Sequence, residues 1–336
     1  MRALVVTNMS PTVEHPARGR FVCDQVDALR RIEDIEVELF AFPPGLRSYP
    51  RAARELRRRH RGSNFDVIHA HFGLTAWPAL ALRGAPHVVT FHGTDLAHPR
   101  SGKLSRAVVP LLTLTATVSA SLAQLLPGAG VRRQVAVLPC GVDLGRFRPL
   151  PRREARARLG LAQDEPCLLF PADPARPEKR FEQARAVAGD VRLLTLEDVE
   201  PDEVPYWVNA ANAVLIPSER EGFGLAVLEA LACDVPVLAT DTGIAPLALT
   251  GITGTHCGPF ELEAWRAALA PHLASPDPRI EGRARARLFS AERMAARVAV
   301  AWRAIAAETA GKRAARRYTR RRGTVGQAGN AVSPTR

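Results

Sequence analysis

No two of the five cysteines, Cys23, Cys140, Cys167, Cys233 and Cys257, stand in a CxxC pair, and they share no short-range framework. That spacing excludes a disulfide scaffold or a cysteine-based zinc site and suits a reducing, cytoplasmic compartment. Long apolar runs are also missing. The opening run Ala3-Leu4-Val5-Val6 is too short for a signal-peptide core and reads as a buried strand. The uncharged stretch 107–126 is interrupted by Pro110, by serines and threonines within 113–119 and by Gln124, so no membrane span is expected. Acidic residues are absent from 311–336, where eight Lys or Arg gather. The formal net charge of +12 is therefore uneven, and the rest of the chain carries about +4. With so little to bury, 311–336 is expected to be a disordered, solvated basic tail. No nucleic-acid recognition fold accompanies it, so nucleic acid is not an expected partner.

What is present is a chain of 336 residues, 46% of them hydrophobic, which is room for two domains of about 150 residues each. Short apolar runs at 3–7, 37–40, 66–70, 87–91, 114–118 and 135–138 predict strands. Amphipathic stretches separate them, such as 20–31 with Phe21, Val22, Val26 and Leu29 on one face. Strands alternating with helices predict an α/β domain whose parallel sheet is covered on both faces. A charged segment at 149–158, bearing Pro149 and Pro151, reads as a linker. The pattern then restarts, with strands at 167–170, 192–196, 213–216, 236–239 and 253–257. The expected division is 1–150, 151–310 and the tail. Two doubly wound units in tandem leave a cleft at the carboxyl ends of their strands, where such sheets bind ligands. A final helix over 290–308, with Met294, Val298, Ala301 and Ile305 on one stripe, is expected to pack back across the domain boundary.

The most informative segment is Pro217-Ser218-Glu219-Arg220-Glu221-Gly222-Phe223-Gly224-Leu225-Ala226-Val227-Leu228-Glu229-Ala230-Leu231-Ala232. It reads as a strand end, a glycine-bearing loop and a helix beginning near Gly224. Glycines allow close backbone approach, and free N–H groups at a helix start attract phosphate or sugar oxygens. Glu221 falls in the loop and Glu229 about two turns into the helix, so one carboxylate can meet sugar hydroxyls while the other faces a ribose. Gly19, in the loop after the first strand, is a candidate for close approach to phosphates or acceptor.

This segment resembles glycosyltransferase family 4, the retaining enzymes of GT-B fold, whose signature is two glutamates separated by seven residues in such a frame. Val137-Leu138-Pro139-Cys140-Gly141-Val142-Asp143, continuing to Phe147-Arg148-Pro149, resembles that family's interdomain stretch, with Cys140 where relatives carry Asn. Phe65-Asp66-Val67-Ile68-His69-Ala70-His71 and Thr90-Phe91-His92-Gly93-Thr94-Asp95 resemble first-domain landmarks. Pro171-Ala172-Asp173-Pro174-Ala175-Arg176-Pro177-Glu178-Lys179-Arg180-Phe181 resembles the phosphate-binding loop. The resemblance spans about residues 1–305, and the wording of the loops is nearest bacterial cell-surface polysaccharide enzymes of the teichuronic-acid type. Two departures stand out. The residues after Gly243 are apolar where relatives place an acid, and Asp173-Pro174 occupy the neighbourhood of an expected arginine.

The resemblance implies a retaining, metal-independent transfer from a nucleoside-diphosphate sugar to a glycan, lipid-linked or small-molecule acceptor. Lys179 would meet the donor diphosphate, with Arg176 or Arg180 as second cation. Gly222, Phe223, Gly224 and Leu225 would offer backbone N–H groups, Glu221 would hold sugar hydroxyls and Glu229 the ribose. His92 would touch the transferred sugar. Retention by front-face attack needs no protein nucleophile, so Glu221 is not assigned as one. No Asp-x-Asp site sits in a suitable loop, no cofactor is implied, and His69-x-His71 has no third ligand in sequence.

Arg51, Arg54, Arg57, Arg58, Arg59 and Arg61 form a basic run in the first domain. It reads either as a solvated helix face or as a contact for anionic lipid or a polyprenyl diphosphate carrier at the inner face of the plasma membrane. Two rival functions remain: an epimerase on the same fold, and a catalytically weak nucleotide-sugar-binding assembly subunit at the membrane.

Overall fold

A computed structural model describes residues 1–126, 135–197 and 199–327, with side chains described to 315. The first half holds six strands: β1 (Arg2–Thr7), β2 (Glu36–Ala41), β3 (Val67–His71), β4 (His87–Phe91), β5 (Leu114–Thr117) and β6 (Val135–Val137). They form one parallel sheet in the order β2-β1-β3-β4-β5-β6. The second half holds β7 (Cys167–Phe170), β8 (Arg192–Thr195), β9 (Ala213–Ile216), β10 (Val237–Ala239) and β11 (His256–Cys257), ordered β11-β10-β9-β7-β8. Each sheet thus reverses direction at its own first strand: β1 pairs with β2 and β3, and β7 with β8 and β9. The loops after those strands end at the switch points, where ligands of doubly wound sheets bind.

Helix α1 (Arg20–Arg30) buries Val22, Gln25, Val26 and Leu29 against the first sheet. Helix α2 (Ser48–Arg59) buries only Ala52 and Leu56, and its arginines point to solvent. The last helix (Ala291–Gln327) belongs to the first domain's core although it follows the second in sequence. Ala291, Met294, Val298, Trp302 and Ile305 share one cluster with Ala3, Val5, Val26 and Leu29. The expected stripe is therefore confirmed, and Trp302, fully buried, joins it.

The chain crosses between domains twice, side by side. Val142 N–H donates to Phe289 O at 2.9 Å, and Ala291 N–H returns a bond to Val142 O at 2.9 Å.

Two expectations need correction. The charged segment 149–158 is not a free linker: Arg152–Arg158 is a helix with Arg152 and Arg156 buried. Arg156 donates to Ala210 O at 3.1 Å and Asn212 Oδ1 at 3.0 Å, and Arg152 to Ala211 O at 2.8 Å. These guanidiniums bind carbonyls that an apolar side chain would leave unpaired, so charge here does not mean solvation. Nor is 311–336 wholly without regular structure, because the last helix runs on to Gln327. Ala, Lys and Arg are strong helix formers, and an existing helix extends without a new nucleus. Residues 328–336 of the expected tail lie outside the described residues. No helix among the described residues is long and apolar enough to cross a membrane.

Candidate functional site

Four loops from the two sheets converge on the cleft. After β9, Ser218 to Gly224 leads into the helix Leu225–Ala232, whose start is set by Gly224 at φ 87°, a left-handed conformation that favours glycine. After β7, the phosphate-loop candidate ends in a 3₁₀ turn, Pro177–Lys179. Glu219 N–H donates to Glu178 O at 2.9 Å, tying these two loops together.

Glu221 sits at their junction. Its Oε1 accepts from Lys179 Nζ at 2.6 Å and from Ser218 Oγ at 2.7 Å. The Lys179 and Glu221 side chains are only 16% and 10% exposed, so both charges are largely withdrawn from water and held face to face. The two candidate second cations are engaged locally: Arg176 with Glu178 at 2.7 Å, Arg180 with Glu219 at 3.8 Å. Arg180 also adopts φ 56°, an uncommon conformation for a side-chain-bearing residue and one way to hold a functional loop. Phe223 is buried, and Leu225 packs at the edge of the same core.

Gly222 explains why this position has no side chain. A Cβ built there would lie 1.8 Å from His92 O, and one built on Gly93 would lie 2.8 Å from the Gly222 Cα. The second domain's glycine loop thus rests directly on the first domain's His92-Gly93 turn. Asp95 shapes that turn by accepting from the N–H groups of Gly73 (3.0 Å), His92 (3.1 Å) and Gly93 (2.9 Å). Burial pushes the Asp95 carboxyl up, and the three N–H groups oppose the shift.

Glu229 stands apart from Glu221, deeper along its helix. Burial pushes its carboxyl up to about 7, against the pull of the Arg146 guanidinium, while Asp24 adds to the rise. Arg146 in turn bonds Asp24 at 2.8 Å, and Asp24 also takes Arg20 Nε at 2.9 Å. Two further Arg146 nitrogens, Nε and Nη1, are buried and have no partner among the described residues. Gly19 caps the start of α1 at φ 65°, where an added Cβ would lie 2.4 Å from Met9 O. It therefore brings the first-domain helix start, with Asp24, to the same part of the cleft.

His92 lies under a clamp of rings. Its ring centroid is 4.9 Å from Phe21, 4.7 Å from Phe72 and 5.1 Å from His71. His71 stacks in turn on His69 at 4.7 Å. Desolvation keeps all three imidazoles neutral, with His71 lowered to about 3. Among the described residues no group of three or more His, Cys, Asp or Glu side chains is arranged to hold a metal ion.

Sequence reasoning missed Asp24, Arg146 and Gln25 as cleft residues and gave Asp95 no role. One signal was present: Gln25 falls on the buried stripe of α1 between Val22 and Val26, where a polar side chain requires a partner.

Residues 2–146 match the family model Glycosyltransferase Family 4, and residues 162–275 match Glycosyl transferases group 1. A D-inositol 3-phosphate glycosyltransferase of Actinosynnema mirum is 30% identical over 304 residues, covering 72% of this chain and 71% of the relative. Another bearing that name, from Geodermatophilus obscurus, is 28% identical and covers 91% and 78%. Among solved structures, sucrose-phosphate synthase from Thermosynechococcus elongatus superposes with a TM-score of 0.71 at 19% identity, covering 92% of this chain and all of that one. Anabaena HepE in complex with UDP and glucose superposes at 0.67 with 16% identity, covering 90% and 99%. These structures share the two-domain GT-B architecture, and the closer sequence relationships go further: this chain belongs to glycosyltransferase family 4 and is a sugar-transferring enzyme.

Proposed function

We propose that the chain catalyses a retaining, metal-independent transfer from a nucleoside-diphosphate sugar held between its domains. The observation that carries this reading is the Lys179–Glu221–Ser218 contact, set against Gly222 where the second domain touches His92. A donor diphosphate competes with Glu221 for the Lys179 ammonium, which then neutralises the departing phosphate as the anomeric C–O bond breaks. The Glu221 carboxylate is left to accept from sugar hydroxyls. Gly222 to Leu225 supply backbone N–H groups, Glu229 meets the ribose, and His92 touches the sugar. Arg176 or Arg180 adds a second cation once released from its local carboxylate.

The acceptor oxygen attacks the anomeric carbon on the face that the phosphate leaves. Its proton passes to a phosphate oxygen, so the configuration is retained without a protein nucleophile. No divalent metal is required if these cations carry the leaving-group charge. HepE was solved with UDP and with UDP-glucose, which makes UDP-sugars the first donors to try. The curated relatives act on D-inositol 3-phosphate by name, which makes a phosphorylated polyol a natural first acceptor beside glycan and polyprenyl-linked ones. Cell-surface polysaccharide or glycoconjugate synthesis is the process this chemistry fits. The working place would be the cytoplasmic side of the membrane, reached through the exposed arginines of 51–61.

The test is a thermal-shift panel with UDP-, GDP-, ADP- and dTDP-sugars, with and without EDTA, followed by product analysis. A donor at 100 times its dissociation constant stabilises by roughly 2.7 kcal/mol, a shift of several degrees. One base should give that shift undiminished by EDTA. An EDTA-sensitive shift would overturn the metal-free mechanism. A shift without transfer would favour the weakly catalytic binding subunit, and no shift with any donor would overturn the donor site itself.

A further inference from the structure

Behind His92 lies a hydrogen-bonded file of side chains whose order decides which of its ring nitrogens carries the proton. His71 Nδ1 stands 3.0 Å from His92 Nε2, and His71 Nε2 stands 3.2 Å from Gln25 Nε2. A carboxamide nitrogen can only donate, so His71 Nε2 accepts. A neutral His71 then holds its proton on Nδ1 and donates it to His92 Nε2. His92, filled on Nε2 by that bond, is left with its own proton on Nδ1. We infer that Gln25 and His71 are positioning residues that fix His92 as the Nδ1–H tautomer, presenting a hydrogen-bond donor to an oxygen of the transferred sugar. The functional half of this inference rests on the glycosyl-transfer reading above; the tautomer assignment does not.

Three observations support the relay. Burial keeps the histidines neutral, so that one tautomer excludes the other and no imidazolium supplies protons on both nitrogens. The His92 ring cannot turn freely, because Phe21, Phe72 and His71 enclose it, and Phe72 holds the unusual φ of 73° that places it there. His69 is fixed separately. Trp302 Nε1–H donates to its Nδ1 at 3.1 Å, which leaves the His69 Nε2–H to donate to Thr90 Oγ1 at 2.8 Å. The ring stacked on His71 is thereby locked without competing for His71's protons.

The experiment is long-range ¹⁵N–¹H correlation of the histidine rings in the full chain, with signals assigned by replacing His71 and His92 in turn. Wild-type His71 and His92 should both show protonated Nδ1. Gln25→Met keeps the volume and removes the donor, so both rings should pass to a mixture rich in the Nε2–H form. Sugar transfer should then fall about fivefold, in proportion to the molecules that lose the competent form, with nucleoside-diphosphate affinity unchanged. His71→Asn places an amide donor near the lost Nδ1 and should restore Nδ1–H on His92. A wild-type His92 protonated on Nε2, or tautomers unmoved by Gln25→Met, would overturn the relay. Tautomers that shift while transfer does not would overturn its functional half. Wild type with the expected tautomers and no transfer at all would count against the glycosyl-transfer reading and leave the relay standing.

Discussion

Glu229 shows what burial does to a single carboxyl here. Its folded pKa of about 7 lies above the ordinary 4.5, so the folded protein holds a proton that the unfolded chain releases. The penalty is small near pH 4.5, grows as pH rises, and is complete above about pH 7. Its size is roughly 3 kcal/mol for such a shift. Glu229→Gln should therefore raise the unfolding midpoint at pH 8 by several degrees and leave it nearly unchanged at pH 5, read by thermal melts of both proteins. An equal effect at both pH values would show that desolvation does not govern this side chain. At the same scale, the sequence announced Glu221 and Glu229 because a fixed interval in one helix-and-loop frame is local information. Arg146 and Asp24, 122 residues apart, meet only because the domains fold together, and no local pattern records that meeting. Gln25 left a trace and His71 did not, since a histidine ending a buried strand looks the same whether or not it relays a proton.

The strands were legible because strands covered on both faces read as short apolar runs, and β4, β7 and β9 begin and end where the sequence placed them. Helices carried by charge were harder to place. Arg152–Arg158 and the extension of the last helix to Gln327 both sit in segments whose arginines suggest solvent, although in one the arginines bond backbone carbonyls inside the protein. The last helix also contributes to the core of the first domain. Trp302 is fully buried in a core cluster with Ala3, Val5 and Leu29 and donates to His69. Trp302→Ala should cost about 3–5 kcal/mol of stability, measured by denaturant unfolding. A cost under about 1 kcal/mol would mean that the helix is a loosely held cover rather than part of the core.

Across the whole molecule, charge is displayed as unevenly as it is along the chain. The arginines at 51, 54, 57, 58, 59 and 61 are all exposed on or beside α2, and Arg57, Arg61 and Arg83 border a recess of about 650 Å³ at its end. Arg313 of the last helix bonds Gly84 O in the same neighbourhood. Vesicles containing anionic lipid should bind the protein at low salt and release it at high salt, with neutral vesicles inert. Each basic residue near such a surface contributes about 1 kcal/mol, so reversing Arg54 and Arg58 to Glu should weaken sedimentation with vesicles at least tenfold while sparing donor binding. Equal binding to neutral vesicles would remove the electrostatic basis for membrane contact. The double crossing between domains has a consequence during synthesis as well. The first sheet leaves the ribosome early, yet Trp302 and its neighbours, which complete its core, are made after the entire second domain. At about 5–20 residues per second, the first domain waits on the order of ten seconds or more with one face of its sheet only partly covered, by α1. The second domain, whose strands and their covering helices are contiguous, can close first.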